Sequence, residues 1–515
     1  MLSKRAWILG VAAFLIGCSF IVESDIRGYG IGSTCTTNED CHAGRCHERV
    51  CVASCSVNAD CPEPTKCFAG ECHVPLKVAA LHVGFVTGGE GWTLTHHEGL
   101  DYAKKQLPWV TAYEDEGVFP NPTDPEHGPI AQKIDFAVKE RGVDVIFLNS
   151  FSQRDEMFVR AKRYPHVKFI NVLGNRSEGN VLSIGNRLEQ AWWIAGRVAA
   201  MKTKKNRLGF IASYITPEVV RYASAFLLGA RGLNPAIKVE VQWLGFWSDY
   251  RQQPLSTYGG RLRLDDGPVY REELLTYRLV EAGADVVAHS ADTGRSVRLI
   301  ERLNTAKKVP WQLYSVSNDN ENGCNQLVGD TLGGPPMATC LASCYGHWGP
   351  LYVEVLKDIH AQLLDTTKNR HEGMTADETS ATGFRLNPSA GIDDTAVRPY
   401  LTEIVERGWP HVFDGPEGQS YATTGQRDRD GDGVYDARQV FGEDGERMTP
   451  EEYQRMCWFP EGLIEKQTID DPSSLDVAAR VPDAERVRSD TKFLGDVLGP
   501  PGAPRGQGLL CSENQ

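Results

Sequence analysis

Leu208-Gly-Phe-Ile-Ala212, Pro217-Glu-Val-Val-Arg-Tyr-Ala-Ser-Ala-Phe-Leu-Leu228 and Val239-Glu-Val-Gln-Trp243 follow one another within a single stretch of chain. The first and third are short runs of apolar and β-favouring residues, and the second has the length and composition of a helix. Strand, helix and strand in that order form the repeating unit of a parallel α/β sheet. The rhythm extends toward the N-terminus through Val78–Val86, a helix near Glu98–Gln106, Val143–Asn149, Arg154–Tyr164, Val167–Val172, Val181–Gly185 and Leu188–Met201. Toward the C-terminus it continues through Glu272–Ala282, Asp285–His289, Gly294–Ala306, Gln312–Val316 and Pro350–Leu363. So much chain exceeds one hydrophobic core, and two lobes are expected. In such sheets ligands bind beyond the carboxyl ends of the strands. Trp243, on an alternating strand, reads as a core residue.

Composition narrows the function. The 515 residues carry a net charge of −14, with 41% hydrophobic and 24% charged residues. That describes a globular chain without the basic surface that tracks phosphates, so no nucleic-acid partner is expected. The sequence has no Gly-x-Ser-x-Gly elbow, phosphate-loop lysine motif or His-Glu-x-x-His helix. His96-His97-Glu98 is contiguous and cannot set two ligands on one helix face. No nucleophile–base or metal–water constellation emerges, so the chain is read as a non-enzyme.

Particular segments resemble the basic membrane protein family of binding proteins. They are Gly84-Phe-Val86 with Glu90-Gly-Trp-Thr93, His96 and Glu98-Gly99; Asp144-Val-Ile-Phe-Leu-Asn-Ser-Phe151; Ala161–Phe169; and Asn180-Val181 with Gln190–Gly196. The resemblance continues through Thr203–Phe210, Pro217–Arg221, Leu228–Arg231, Gly283–Ala288, Ser317-Asn-Asp319, His347–Pro350, Phe413–Pro416 and Trp458–Gly462. It implies a type I periplasmic-binding-protein fold: two doubly wound lobes around a ligand cleft. Lobe one is expected at 77–187 with about 312–348, and lobe two at 188–311 with about 349–465. The implied activity is capture of a purine nucleoside or nucleobase for the permease of an ABC-type importer. The alternative is a membrane-anchored receptor that senses ligand with the same clamp and does not transport it.

The chemistry fits such a ligand. A flat, neutral purine suits aromatic faces, and Trp92, Phe151, Trp247 and Trp348 fall at strand ends or in loops. Asp249, Asp292 and Asp319 can accept from ribose hydroxyls or ring N–H groups, and Ser150 and Asn318 can add neutral hydrogen bonds. Each also has a structural reading, the tryptophans as core and the aspartates as caps or turn residues. Tyr250–Tyr270 and Glu321–Pro336 are longer than the family usually has, and both flank the cleft in sequence.

The N-terminus reads as an export signal. Lys4 and Arg5 precede an apolar run from Ala6 to Ile16, closed by Leu15-Ile16-Gly17-Cys18. That run is short for a membrane span but suits a signal peptide. The ending resembles a bacterial lipobox, with residues 1–18 as signal, Cys18 acylated, and the protein anchored by lipid in the bacterial cell envelope. Residues 19–34 then form a tether.

Eight of the 14 cysteines lie within residues 35–73 as two similar units: Cys35, Cys41, Cys46, Cys51, then Cys55, Cys61, Cys67, Cys72. Two disulfides per unit are expected, with the pairing open. Cys324 is expected to pair with Cys340 or Cys344, and Cys457 with Cys511 to tie down the tail at 466–515. Finally, Asp428, Asp430, Asp432 and Asp436 stand at positions 1, 3, 5 and 9 of a calcium-loop pattern, with Gly433 at 6 and the Val434 carbonyl at 7. A structural Ca2+ in an insert at 426–445 is the expectation. No cofactor for activity is expected.

Overall fold

Leu76, Val78 and Ala80 pack on one face of their strand and Ala79 and Leu81 on the other, so both faces of this strand are buried. A parallel sheet demands this pattern, because its crossover helices cover both sides. The computed structural model describes residues 30–413, apart from positions 43, 87–90, 122–123, 175, 214–215, 245–246, 248–259, 265–268, 330 and 378. It also describes three short strands, Thr423–Gly425, Gln439–Phe441 and Leu463–Lys466.

Two sheets organise the body. The first has six parallel strands in the order Arg370–Glu372, Val181–Asn186, Lys168–Val172, Val145–Leu148, Leu76–Leu81, Val110–Asp115. The second has seven: Thr382–Leu386, Cys340–Gly346, Tyr314–Asp319, Val286–His289, Arg207–Ala212, Lys238–Trp243, Leu463–Lys466. Only Thr382–Leu386 runs antiparallel to its neighbour. In each sheet the earliest strand in the chain has its second on one side and its third on the other. The winding therefore reverses beside Leu76–Leu81 and beside Arg207–Ala212, and a crevice opens at their carboxyl ends.

Three connections cross between the lobes. After Asn186 the chain leaves the first sheet, and helix Glu189–Lys202 packs with helix Pro217–Arg231 in the second lobe. After Gly346 it returns, and helix Trp348–His360 packs on helix Trp92–Gln106 in the first. Between Glu372 and Thr382 it crosses again. This is the type I periplasmic-binding-protein fold.

The lobe boundaries differ from the sequence expectation. Strands Tyr314–Asp319 and Cys340–Gly346 belong to the second sheet, not to lobe one, and helix Trp348–His360 belongs to the first lobe, not to lobe two. The reason is burial: Trp348, Leu351, Tyr352, Val355 and Leu356 fill the core formed by Leu76, Val78, Val145, Phe147 and Leu100. Trp243, in contrast, is a core residue as read, 1% exposed in the second lobe.

Glycines set the closest helix contact. A Cβ on Gly196 would lie 2.1 Å from the Phe226 carbonyl oxygen, and one on Gly229 would lie 1.9 Å from that of Trp193. Helices Glu189–Lys202 and Pro217–Arg231 therefore meet backbone to backbone, with Trp192, Phe210 and Phe226 packed edge to face beside them.

The cysteine-rich segment forms two small hairpins, Arg45–His47 with Val50–Val52 and Lys66–Phe68 with Glu71–His73. Each unit pairs its first cysteine with its third and its second with its fourth: Cys35–Cys46, Cys41–Cys51, Cys55–Cys67 and Cys61–Cys72. Cross-links over 10 to 12 residues are each worth about 3 kcal/mol in chain entropy, which a segment this small needs. The module is seated on lobe one. Arg49 pairs with Asp358, Lys357 Nζ lies 2.6 Å from Glu48, and the His73 ring stacks on Trp109 at 6.1 Å. Cys324 pairs with Cys340, leaving Cys344 as a buried thiol.

Cys18, Cys457 and Cys511 lie outside the described residues. So do Asp428, Asp430, Asp432, Val434 and Asp436, although Thr423–Gly425 and Gln439–Phe441 pair antiparallel on either side of them. Among the described residues no helix is long and apolar enough to cross a membrane.

Candidate functional site

Lobe one brings aromatic groups to the crevice. Trp92 opens helix Trp92–Gln106, just beyond the carboxyl end of strand Leu76–Leu81. Its indole Nε1 donates to the Asn149 carbonyl at 2.5 Å, which ties it to the end of strand Val145–Leu148. Behind Trp92 the rings form a stack: His96 at 4.3 Å and Trp348 at 5.6 Å, both edge-on. His96 Nδ1 meets the Tyr352 hydroxyl at 2.6 Å, and burial drives its pKa well below the ordinary range, so the ring is neutral. Trp348 is 1% exposed. It backs Trp92 from the core. Ser150 is half-buried, with its Oγ 2.8 Å from Ser152 Oγ.

An imidazole–carboxylate network braces this wall. His82 Nε2 and His97 Nδ1 both approach Glu114 Oε2, at 2.9 and 2.8 Å. Burial opposes ionisation of Glu114, but these hydrogen bonds outweigh it and bring its pKa to about 2.

Lobe two brings carboxylates. Asp319 ends strand Tyr314–Asp319 with φ at +65°, a left-handed conformation in which aspartate is tolerated. It is 5% exposed. Burial first, then the charges of Asp292 and Glu218, push its pKa well above the usual range, and it shares a hydrogen bond with Asp292. Glu218 sits in the first turn of helix Pro217–Arg231, and burial raises it to about 7, opposed by the Tyr222 hydroxyl that donates to it. Asn318 is buried beside Asp319. Asp292 takes its place through its backbone N–H, which donates to the Trp247 carbonyl at 2.9 Å.

The two walls meet. A Cβ on Gly91 would lie 2.6 Å from the Asp292 carbonyl oxygen, so the residue before Trp92 touches the residue that carries a lobe-two carboxylate. Further contacts are Asn320 Nδ2 donating to Glu98 at 3.4 Å and Thr95 Oγ1 donating to the Gly346 carbonyl at 3.1 Å. The start of the Trp92 helix thus meets Asp292, which pairs with Asp319 beside Asn318; Trp247 packs on the second-lobe core, and Trp348 lies behind Trp92. Asp249 and the Phe151 side chain lie outside the described residues. Of the two long spans, Glu321–Pro336 is held by the Cys324–Cys340 bridge and by Arg385 on Glu321 at 3.0 Å. Most of Tyr250–Tyr270 is outside the described residues.

Sequence reasoning missed a second polar group where the lobes join. Glu189 is fully buried, and its Oε1 takes both Arg221 Nε at 3.3 Å and the Trp409 indole N–H. Arg187 lies over the Trp409 ring at 3.9 Å. The available signal was charge inside apolar helix-forming runs: Glu189 beside Ala-Trp-Trp-Ile, and Arg221 within Val-Val-Arg-Tyr-Ala.

Two doubly wound lobes with three crossovers, aromatic on one wall and acidic on the other, define a bilobal binding-protein architecture. Residues 76–255 match the Bmp family model, described as ABC transporter substrate-binding protein PnrA-like. A putative ABC transporter glucose-binding protein of Haloferax volcanii is 29% identical over 211 residues, 41% of this chain and 47% of that protein. A purine-binding protein of Brucella abortus is 25% identical over 284 residues, 55% of this chain and 69% of that one. The match thus spans about half the length of the first and about two thirds of the second. Among solved structures, a transcriptional activator of the comK gene from Bacillus halodurans aligns over 67% of this chain and 99% of its own, with 21% identity and a TM-score of 0.48.

Proposed function

We propose that this chain is the ligand-capturing component of an ABC-type importer, taking a purine nucleoside or nucleobase into the crevice between its lobes. The observation that carries this reading is the close approach of Gly91 to Asp292, which brings the start of the Trp92 helix of one lobe against the residue that pairs with Asp319 in the other. An aromatic face stacks on a purine ring. Carboxyl groups accept from ribose hydroxyls and ring N–H groups. Supporting it, one relative is named a purine-binding protein and another, from Lactococcus lactis, an ABC transporter nucleoside-binding protein. The relative named for glucose makes sugars the competing ligand class.

The accompanying proposals are acylation at Cys18, which anchors the protein in the cell envelope beside a permease, and a structural Ca2+ held by Asp428, Asp430, Asp432, the Val434 carbonyl and Asp436. The protein binds its ligand and releases it unchanged.

The test is a thermal-shift panel on the full chain against purine bases, nucleosides, sugars and amino acids. Ligand at a hundred times its Kd adds about 2.7 kcal/mol, a rise of several degrees in the midpoint. A rise with purines alone supports the proposal. A rise with glucose and none with purines refutes it.

A further inference from the structure

His97 and Asp101 stand one turn apart on helix Trp92–Gln106, with His97 Nε2 lying 3.6 Å from Asp101 Oδ2. The neighbouring His96 turns the other way, into the core against Tyr352. Adjacent histidines cannot share a helix face, but a histidine and an aspartate four residues apart can. Glu114, on the edge strand Val110–Asp115, meets the pair from the sheet, its Oε2 at 2.8 Å from His97 Nδ1. One ligand atom each from His97, Asp101 and Glu114 lies within 4.8 Å of the other two. All three residues are partly exposed, so water reaches the group.

The hydrogen bonds behind this group fix what each atom can do. Asn149 Oδ1 accepts from the Val83 N–H at 2.9 Å, so its Nδ2 is the atom that meets His82 Nδ1 at 3.1 Å. An amide nitrogen only donates, so His82 Nδ1 accepts and the proton of a neutral ring sits on Nε2, 2.9 Å from Glu114 Oε2. Buried His82 therefore orients Glu114 from behind, as outer-shell partners of metal ligands do. A neutral His97 has a single N–H for two carboxylates, and Glu114 takes it. Asp101 Oδ1 is held by Lys104 Nζ at 2.5 Å, while Oδ2 faces the bare ring nitrogen. Acceptor against acceptor calls for a cation between them.

The spacing suits a metal ion better than a second ring proton. A charge-assisted N–H···O bond closes to about 2.7–2.9 Å. Ligands bound tetrahedrally at about 2.0–2.1 Å stand ~3.4 Å apart, and the 3.6 Å and 2.8 Å approaches to His97 bracket that value. Imidazole with two carboxylates and water is a ligand set of Zn2+, whereas Ca2+ seeks six to eight oxygens. The two carboxylates also carry the double charge that a dication cancels.

We propose that one ring nitrogen of His97 and carboxylate oxygens of Asp101 and Glu114 bind a divalent transition-metal ion of the Zn2+ type, with water completing its shell. The ion fastens the helix that begins at Trp92 to the edge strand beside it. This does not depend on which ligand enters the crevice.

The experiment is isothermal titration of the chelator-treated full chain with Zn2+, repeated in His97→Ala, Asp101→Asn and His47→Ala, with a melting curve for each. The last variant is the control, because His47 and His73 also gather around a carboxylate, that of Glu71. One-site binding is expected, unaltered by excess Ca2+, and Zn2+ at a hundred times its Kd should raise the midpoint by several degrees. Affinity should fall on the order of a hundredfold in His97→Ala and roughly tenfold in Asp101→Asn, and stay unchanged in His47→Ala. Both ligand positions are partly exposed, so the metal-free midpoints of these variants should match the wild type within a few degrees. No uptake of Zn2+, uptake that both His97→Ala and Asp101→Asn retain in full, or uptake lost only in His47→Ala overturns the proposal.

Discussion

The two lobes share one winding and line the crevice with opposite chemistry. In lobe one the strand ends lead to Trp92, backed by His96, Trp348 and Tyr352. In lobe two the equivalent ends carry Asp292, Asp319 and Glu218, and burial, then the charges of Asp292 and Glu218, push the pKa of Asp319 up. The shared topology explains where the crevice is, since both sheets reverse their winding beside the earliest strand. It does not explain what the crevice prefers, which comes from a few residues beyond the strand ends. One wall supplies area and polarizability, the other supplies acceptors.

The contact between the walls is the place to break this arrangement. Gly91→Val puts a branched side chain where even a Cβ lies 2.6 Å from the Asp292 carbonyl. It should hold the lobes apart and weaken nucleoside binding on the order of a hundredfold, with the melting midpoint of the free protein little changed. Titration calorimetry beside a melting curve checks both. Removing one wall should cost less. Trp92→Ala deletes a stacking surface worth about 1–3 kcal/mol, so affinity should drop roughly tenfold to a hundredfold. Equal affinity in that variant would show that lobe one does not hold the base.

The acidic wall can be resolved further. Asp319 is pushed toward its protonated form by burial and by its neighbours, so Asp319→Asn mimics the native state, and asparagine also tolerates the positive φ. Its affinity loss should stay within about threefold, whereas Asp292→Asn trades a carboxyl acceptor for an amide and should cost roughly tenfold. A larger loss for Asp319→Asn would show that the ligand leans on Asp319 and not on Asp292.

Smallest is a pH effect on stability. Glu218 rises from an ordinary 4.5 to about 7 on folding, so the folded state holds its proton more tightly than the unfolded state. That contribution is complete below about pH 4.5 and is lost as pH rises through about 7. Melting curves of wild type and Glu218→Gln should therefore diverge by a few degrees between these values, the wild type falling, and run parallel above. Parallel curves throughout would mean that Glu218 is not buried against its neighbours.

Much of the fold was legible because it rests on local pattern. Leu208–Ala212, Val239–Trp243 and Val167–Val172 are apolar runs of strand length, and all three are strands within a residue of their expected limits. Strand Val110–Asp115 escaped notice because Thr111, Tyr113, Glu114 and Asp115 give it a polar edge-strand character. The assignment of 312–348 and 349–465 to lobes failed for a different reason. A buried strand such as Cys340–Gly346 fits either sheet, and the choice is made by distant packing, here Trp348 and Tyr352 against His96. Tertiary contact also explains the site. Trp92, Asp292 and Asp319 were recognisable as polar or aromatic residues at strand ends, but Arg187, Glu189 and Arg221 sit inside helical or strand-end runs. Their encounter depends on the crossover geometry.

The most direct test of the central claim is isothermal titration of the full chain with guanosine, inosine, adenosine and glucose in parallel, repeated in Trp92→Ala. One-site binding of purine nucleosides, weakened in the variant, is expected, with no heat from glucose. Binding of glucose without purines, or purine binding unchanged in Trp92→Ala, would contradict it.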